Sequence, residues 1–197
     1  MIAARVREVL EQLEAWGQEN DRTETDRSRK MLNLERATAE LIRALIVSRG
    51  PKRILEIGTS NGYSTIWLAA SLSSGAPDAR VISIDRNPSK LAMAKENLER
   101  AGLLDRVELL SGDATEIVAG LEGPFDVVFF DADRFSAPAQ LSLLLSKLSP
   151  GALLLHDNAL SHPDEIAGYL AAVRALPDFE HTIVPVGKGL SVASRMA

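Results

Sequence analysis

A chain of 197 residues, 46% hydrophobic and 25% charged, is sized and composed for one globular domain with a substantial core, not for a disordered protein. The absence of cysteine excludes a disulfide framework and a thiolate metal site, and it fits a reducing, cytoplasmic setting. A formal net charge of −5 argues against a nucleic-acid-coating surface, and no apolar run approaches the roughly 20 residues that cross a bilayer.

At the amino end, Arg5, Arg7, Glu8, Glu11 and Glu14 interrupt the apolar residues, so the segment lacks the core of a signal peptide. Ile2, Val6, Val9, Leu10, Leu13 and Trp16 fall at helical spacing and predict an amphipathic helix. Gln18 to Lys30 is almost wholly polar with charges of both signs; it reads as a loop, either a solvated connector or a lid over a ligand. Leu34, Leu41, Ile42, Leu45 and Ile46 predict a second helix, stopped by Gly50 and Pro51.

Short apolar runs then alternate with helical patterns. Strands are predicted at Arg53–Ile57, Val81–Ile84, Val107–Leu110, Phe125–Phe130 and Ala152–Leu155, with helices at Ser64–Ser71, Pro88–Ala101, Ala114–Leu121 and Ala137–Leu148. A helix over Pro163–Ala175 precedes two more runs, Phe179–Val184 and Leu190–Ala193, which the turn Val186-Gly187-Lys188-Gly189 joins as an antiparallel pair. Strands apolar on both faces, each followed by a helix, specify an α/β fold with a doubly wound, mainly parallel sheet of seven strands. The expected organisation is one domain, with residues 1–50 a helical extension and 51–197 the α/β core.

Ligands of open α/β sheets sit beyond the carboxyl ends of the strands. After the first strand comes Gly58-Thr59-Ser60-Asn61-Gly62, whose G-x-x-x-G spacing differs from the G-x-G-x-x-G of dinucleotide folds. Asp85 ends the second strand, where a carboxylate can accept bonds from ribose hydroxyls. Ser111-Gly112-Asp113-Ala114 follows the third strand, and its acid can accept from an adenine amino group. Any one of these acids could instead cap a helix or a turn; three such features at successive strand ends make a nucleoside pocket. Asp131 closes the fourth strand, and Asp157 and Asn158 the fifth. Neighbouring strands are about 4.8 Å apart, so these oxygens could converge on a hard cation, or could serve as caps and Asx turns.

Ile54–Leu68, ILEIGTSNGYSTIWL, resembles the first motif of the cation-dependent O-methyltransferases, the family of catechol and caffeoyl-coenzyme A O-methyltransferases. The resemblance runs from about Leu32 to the carboxyl terminus and is strongest between Arg53 and Asn158. It implies S-adenosylmethionine as cofactor, with Glu56, Gly58 and Ser64 near its amino-acid end, Asp85 on the ribose and Gly112, Asp113 and Ala114 at the adenine. It also implies a divalent cation, Mg²⁺ first with Mn²⁺ or Ca²⁺ as alternatives, on Asp131, Asp157 and Asn158. Asp131 then serves both cofactor pocket and metal, and with Arg134 makes the candidate catalytic pair. The acceptor implied is a small catechol-like molecule, and the assembly a homodimer; the stripe ending in Trp16 suits either a dimer contact or packing on its own domain.

One position departs from the pattern. Many family members carry a lysine general base where this chain has Arg134, and a guanidinium does not release its proton in proteins. Either the cation alone acidifies the hydroxyl, or Arg134 holds an anionic or carbonyl group of the acceptor, or activity is lost, or Arg134 is a surface residue without a role. His156 is a substitute base only if it faces the site, yet its neighbour Asp157 points to the opposite face. His162 could line the acceptor pocket, and Trp67 reads as core. The rival functions are a methyltransferase for a modified transfer-RNA nucleoside, supported only by Arg22, Arg27, Arg29 and Lys30, and a non-catalytic S-adenosylmethionine-binding protein.

Overall fold

The computed structural model describes residues 2–196. Its elements in chain order are α1 (Ala4–Thr23), α2 (Arg36–Arg49), β1 (Arg53–Ile57), α3 (Tyr63–Ala69), β2 (Arg80–Asp85), α4 (Pro88–Ala101), β3 (Val107–Ser111), α5 (Ala114–Gly120), β4 (Phe125–Phe130), α6 (Ala137–Leu144), β5 (Leu148–His156), α7 (Pro163–Arg174), β6 (Phe179–Val184) and β7 (Leu190–Arg195). The seven strands form one sheet in the order β3-β2-β1-β4-β5-β7-β6, parallel except for β7, which runs antiparallel between β5 and β6. The predicted seven-stranded, doubly wound α/β architecture is therefore present.

Alternation along the central strands divides the core in two. Ile54, Val81, Val127, Phe129 and Leu153 face one side and pack with α1 to α4. Leu55, Ile57, Ile82, Val128, Phe130 and Leu154 face the other, against α5, α6 and α7. Each such fully buried side chain contributes about 1.5–3 kcal/mol relative to exposure. The edge strand β3 departs from the expectation of two apolar faces: Glu108 and Ser111 are exposed because no strand lies beyond it.

Helix boundaries follow local chemistry. Asn87 caps α4, accepting from the amides of Ser89 and Lys90, with Pro88 as first helical residue. At the other end of α4, Arg5 donates to the carbonyls of Glu99 (2.8 Å) and Arg100, where a cation suits the helix terminus. Gly50, at φ +61°, closes α2. The helix expected to reach Leu148 ends at Leu144 and tightens into a 3₁₀ turn, Leu145–Lys147. The fifth strand begins earlier than expected, at Leu148, because its register with β4 jumps from Phe125↔Leu148 to Val127↔Leu153, and that irregularity absorbs Pro150 and Gly151.

The largest correction concerns Gln18 to Lys30. Helix α1 continues to Thr23, and a 3₁₀ turn occupies Arg27–Arg29. The last turns of α1 carry no apolar stripe; side-chain bonds hold them. Glu19 pairs with Arg22, Gly17 leaves room for Asn33, and Asp21 accepts from the amides of Met31 (2.7 Å) and Leu32 (2.8 Å). Among the described residues no helix is long and apolar enough to cross a membrane.

Candidate active site

The parallel register aligns Ile57 with both Ile84 and Phe130, and Phe130 with His156. The ladder runs one residue past each strand: Gly58 N–H donates to Ile84 O (2.9 Å), Asp131 N–H to Ile57 O (2.9 Å), and Asp157 N–H to Phe130 O (3.2 Å). Four strand ends thus deliver Gly58, Asp85, Asp131 and Asp157 to one rim. They line a cavity of about 1000 Å³ together with Ser64, Arg134, Asn158, His162 and Lys188.

On the cavity's first side the backbone turns at Gly58, φ +109°. A Cβ there would lie 2.4 Å from the carbonyl oxygen of Asp131, so only glycine lets β1 and β4 finish this close together. Asp85 braces the turn: one carboxylate oxygen accepts from Ser60 N–H (2.8 Å), the other from Asn87 N–H (2.9 Å). Glu56 lies behind the wall, fully buried. Loss of solvent pushes its carboxyl up to about 7, against the pull of neighbouring hydroxyls. Its Oε2 accepts from Thr65 (2.5 Å) and Ser83 (2.6 Å), while its Oε1 is buried without a partner.

On the second side stand Asp131, Asp157 and Asn158, which the structure brings together as anticipated. Burial, and then the neighbouring Asp157 charge, raise Asp131 well above the usual carboxylate range. Burial likewise raises Asp157 to about 6. Asn158, at φ +67°, donates its Nδ2 to Asp157 Oδ2 (2.7 Å), and Asp157 Oδ1 is buried without a partner. Two adjoining carboxylates with a free oxygen and an amide oxygen beside them are hard donors, of the type that could hold a divalent cation. Among the described residues no three His, Cys, Asp or Glu side chains gather where they could hold a metal ion.

Arg134 is not a loose surface residue. Its side chain is 14% exposed and donates to Glu165 Oε2 (2.7 Å) and Asn158 Oδ1 (2.5 Å). Lys188 reaches the rim from the β6–β7 turn, which is stapled to the loop after β5 by Leu160 N–H on Lys188 O (2.9 Å). Its ammonium pairs with Glu35 at 3.1 Å. His156 faces away from the cavity, as the alternation requires: its ring stacks on Phe130 and tilts against Tyr169, and burial lowers it to about 4. Trp67 is core, at 4% exposure.

Gly112, Asp113 and Ala114 are on the same rim, Gly112 N–H bonding to Asp85 O (3.1 Å), but they do not line the cavity. Asp113 caps α5 through the amides of Thr115 (2.8 Å) and Glu116 (3.3 Å). The connector between α1 and α2 supplies the wall that sequence reasoning left open. Ser60 Oγ donates to Met31 O (3.0 Å) and Lys90 Nζ to Lys30 O (2.9 Å), so residues from Thr25 to Leu34 lie along the cavity. Glu165 and Lys188 went unnoticed in the sequence, where nothing marks their approach to the rim; a lysine between two glycines in a tight turn is the one weak signal.

The O-methyltransferase family model matches residues 3–195. A catechol O-methyltransferase of Mycobacterium tuberculosis is 40% identical over 110 residues, covering 55% of this chain and 49% of that protein. A pig (Sus scrofa) catechol O-methyltransferase is 31% identical over 162 residues, 78% of this chain and 83% of that protein. Among solved structures, an O-methyltransferase from Bacillus cereus in complex with SAH superposes with a TM-score of 0.79 at 28% identity, covering 95% of this chain and 90% of that one. The match to the mycobacterial relative thus spans about half of that protein's length.

Proposed function

The chain belongs to the O-methyltransferase family, and from that premise we propose that it moves the methyl group of S-adenosylmethionine to a hydroxyl oxygen of a small catechol-like acceptor, assisted by a divalent cation, Mg²⁺ in the first instance. The observation that carries the reading is the shared rim: the glycine turn with Asp85, and the Asp131–Asp157–Asn158 cluster, open into one cavity.

On the cofactor side, Gly58 and Ser64 border the space for the amino-acid end, and the unpartnered Glu56 Oε1 suits an ammonium donor nearby. Each Asp85 oxygen accepts one backbone amide and keeps lone pairs for the two ribose hydroxyls. Gly112 to Ala114, bonded to the end of β2 but outside the cavity lining, would meet the adenine only where it extends past Asp85 along the rim. On the acceptor side, Asp131, Asp157 and Asn158 would hold the cation, the free Asp157 Oδ1 being the oxygen in want of a partner. A cation held there would lower the pKa of a hydroxyl bound to it and would help to orient that oxygen. The rim holds both reactants within one cavity, which supplies the proximity part of rate acceleration. Arg134 takes no proton, since its guanidinium stays charged; in this structure it orients Asn158.

The test is formation of S-adenosylhomocysteine from a panel of catechols with Mg²⁺ or Mn²⁺, with and without chelator. Turnover should require the metal, and Asp131→Ala should lose about 100-fold or more of it. Undiminished activity in Asp131→Ala would remove the cation from the mechanism. Tight S-adenosylmethionine binding without turnover on any acceptor would make the chain a cofactor-binding protein instead.

A further inference from the structure

We propose that Arg134 gates the cation site: its guanidinium, latched by Glu165, holds the same Asn158 oxygen that a divalent cation would use, so the two compete. The inference rests on the cation reading above and concerns this chain's own residues toward that ion.

The geometry leaves Asn158 little choice. Its backbone is left-handed and the residue is buried at 5% exposure. Arg134 approaches the amide from one side as a donor, and Asp157 Oδ2 faces it from the other as an acceptor. Only one orientation satisfies both neighbours: Nδ2 toward Asp157 and Oδ1 toward the guanidinium. One lone pair of the ligand oxygen is thereby taken and a positive charge stands beside the other, while Asp157 Oδ1 stays without a partner.

Glu165 makes the arrangement persistent. It sits in the first turn of α7, two residues after Pro163, and its Oε2 takes Arg134 Nη1 at 2.7 Å. A planar guanidinium can bond Glu165 with one nitrogen and Asn158 with another; an ammonium has no such fork. The cavity also holds Lys188, but its ammonium is paired with Glu35 at 3.1 Å, so it is not the group that occupies Asn158. A cation on Asn158 Oδ1 therefore meets the guanidinium charge at the same oxygen and displaces it, and the grip of Glu165 sets how readily it yields.

The experiment measures Mn²⁺ binding to the full chain by electron paramagnetic resonance of the free ion, without acceptor, in wild type, Arg134→Lys and Glu165→Gln. Competition predicts Mn²⁺ binding about tenfold tighter in Arg134→Lys, where the fork is lost and the charge kept. It predicts at least a threefold gain in Glu165→Gln, because the latch is weakened. An effect of net charge alone gives no change in the first and weaker binding in the second, since a negative charge is removed. Weaker or unchanged binding in Glu165→Gln, with Mn²⁺ bound by wild type, overturns the gate and leaves the cation reading standing. Absence of Mn²⁺ binding in wild type and both variants overturns the cation reading and the gate together.

Discussion

Replacing Gly58 with alanine tests whether the closeness of β1 and β4 builds the site. Two costs add. Alanine at φ +109° occupies a strained backbone region, about 1–3 kcal/mol. The new methyl also meets the Asp131 carbonyl oxygen at 2.4 Å and its carbonyl carbon at 2.8 Å. Those atoms are backbone and cannot rotate away, so the strands must part by several tenths of an ångström, a further cost of about 1–3 kcal/mol. The sum, roughly 2–6 kcal/mol, lowers the melting temperature by about 4–24 °C for a chain of this size. Gly50→Ala is the internal control: φ is +61°, nothing lies within 4 Å of the added methyl, and only a backbone cost of about 1–2 kcal/mol applies. Urea denaturation measures both variants, and titration with S-adenosylhomocysteine reads the site, which should weaken in Gly58→Ala alone. If Gly58→Ala were no less stable than Gly50→Ala and bound S-adenosylhomocysteine within twofold of wild type, the close-approach reasoning would be refuted.

Glu56→Gln should flatten the dependence of stability on pH. With its folded pKa raised by burial to about 7 from the ordinary 4.5, the native state keeps the proton that the unfolded chain releases. The stability from this group is complete below about pH 4.5 and is lost as pH rises through about 7, a difference on the order of 3 kcal/mol. Denaturation from pH 4.5 to 8 should fall more steeply for wild type than for the variant; parallel curves would remove Glu56 as the cause. Asp21→Ala releases the amides of Met31 and Leu32 from α1, two charge-assisted bonds worth roughly 1–3 kcal/mol together. Trypsin should then cut faster after Arg27, Arg29 and Lys30, while the melting temperature falls only a few degrees. An unchanged cleavage rate would mean that Asp21 is not what holds the connector.

The sheet was legible because its strands are short apolar runs such as Phe125–Phe130 bounded by turn residues, and central parallel strands need such runs to be covered on both faces. The convergence of Asp131, Asp157 and Asn158 was legible too, since it follows from residue position at strand ends once β4 and β5 are neighbours. The last turns of α1 were not, because apolar spacing was the signal used and side-chain bonds from Asp21 and Asn33 do that work instead. Nor could the sequence disclose that Glu165 meets Arg134 across 31 positions of chain, or that Asp113 spends a carboxylate oxygen as a helix cap. Contacts of that kind depend on how loops fold back over the rim, and no local pattern encodes them.

The two walls of the cavity are fastened by different means. The strand ends are joined by main-chain bonds, which ask little of the side chains beyond the glycine at position 58. The connector from Thr25 to Leu34 hangs on a few side chains, chiefly those of Asp21, Ser60 and Lys90. Substitutions in the connector can therefore reshape what fits against it while the opposite wall keeps its form. Divergence among chains built this way should concentrate in that strip, and selectivity can drift there without dismantling the wall of strand ends.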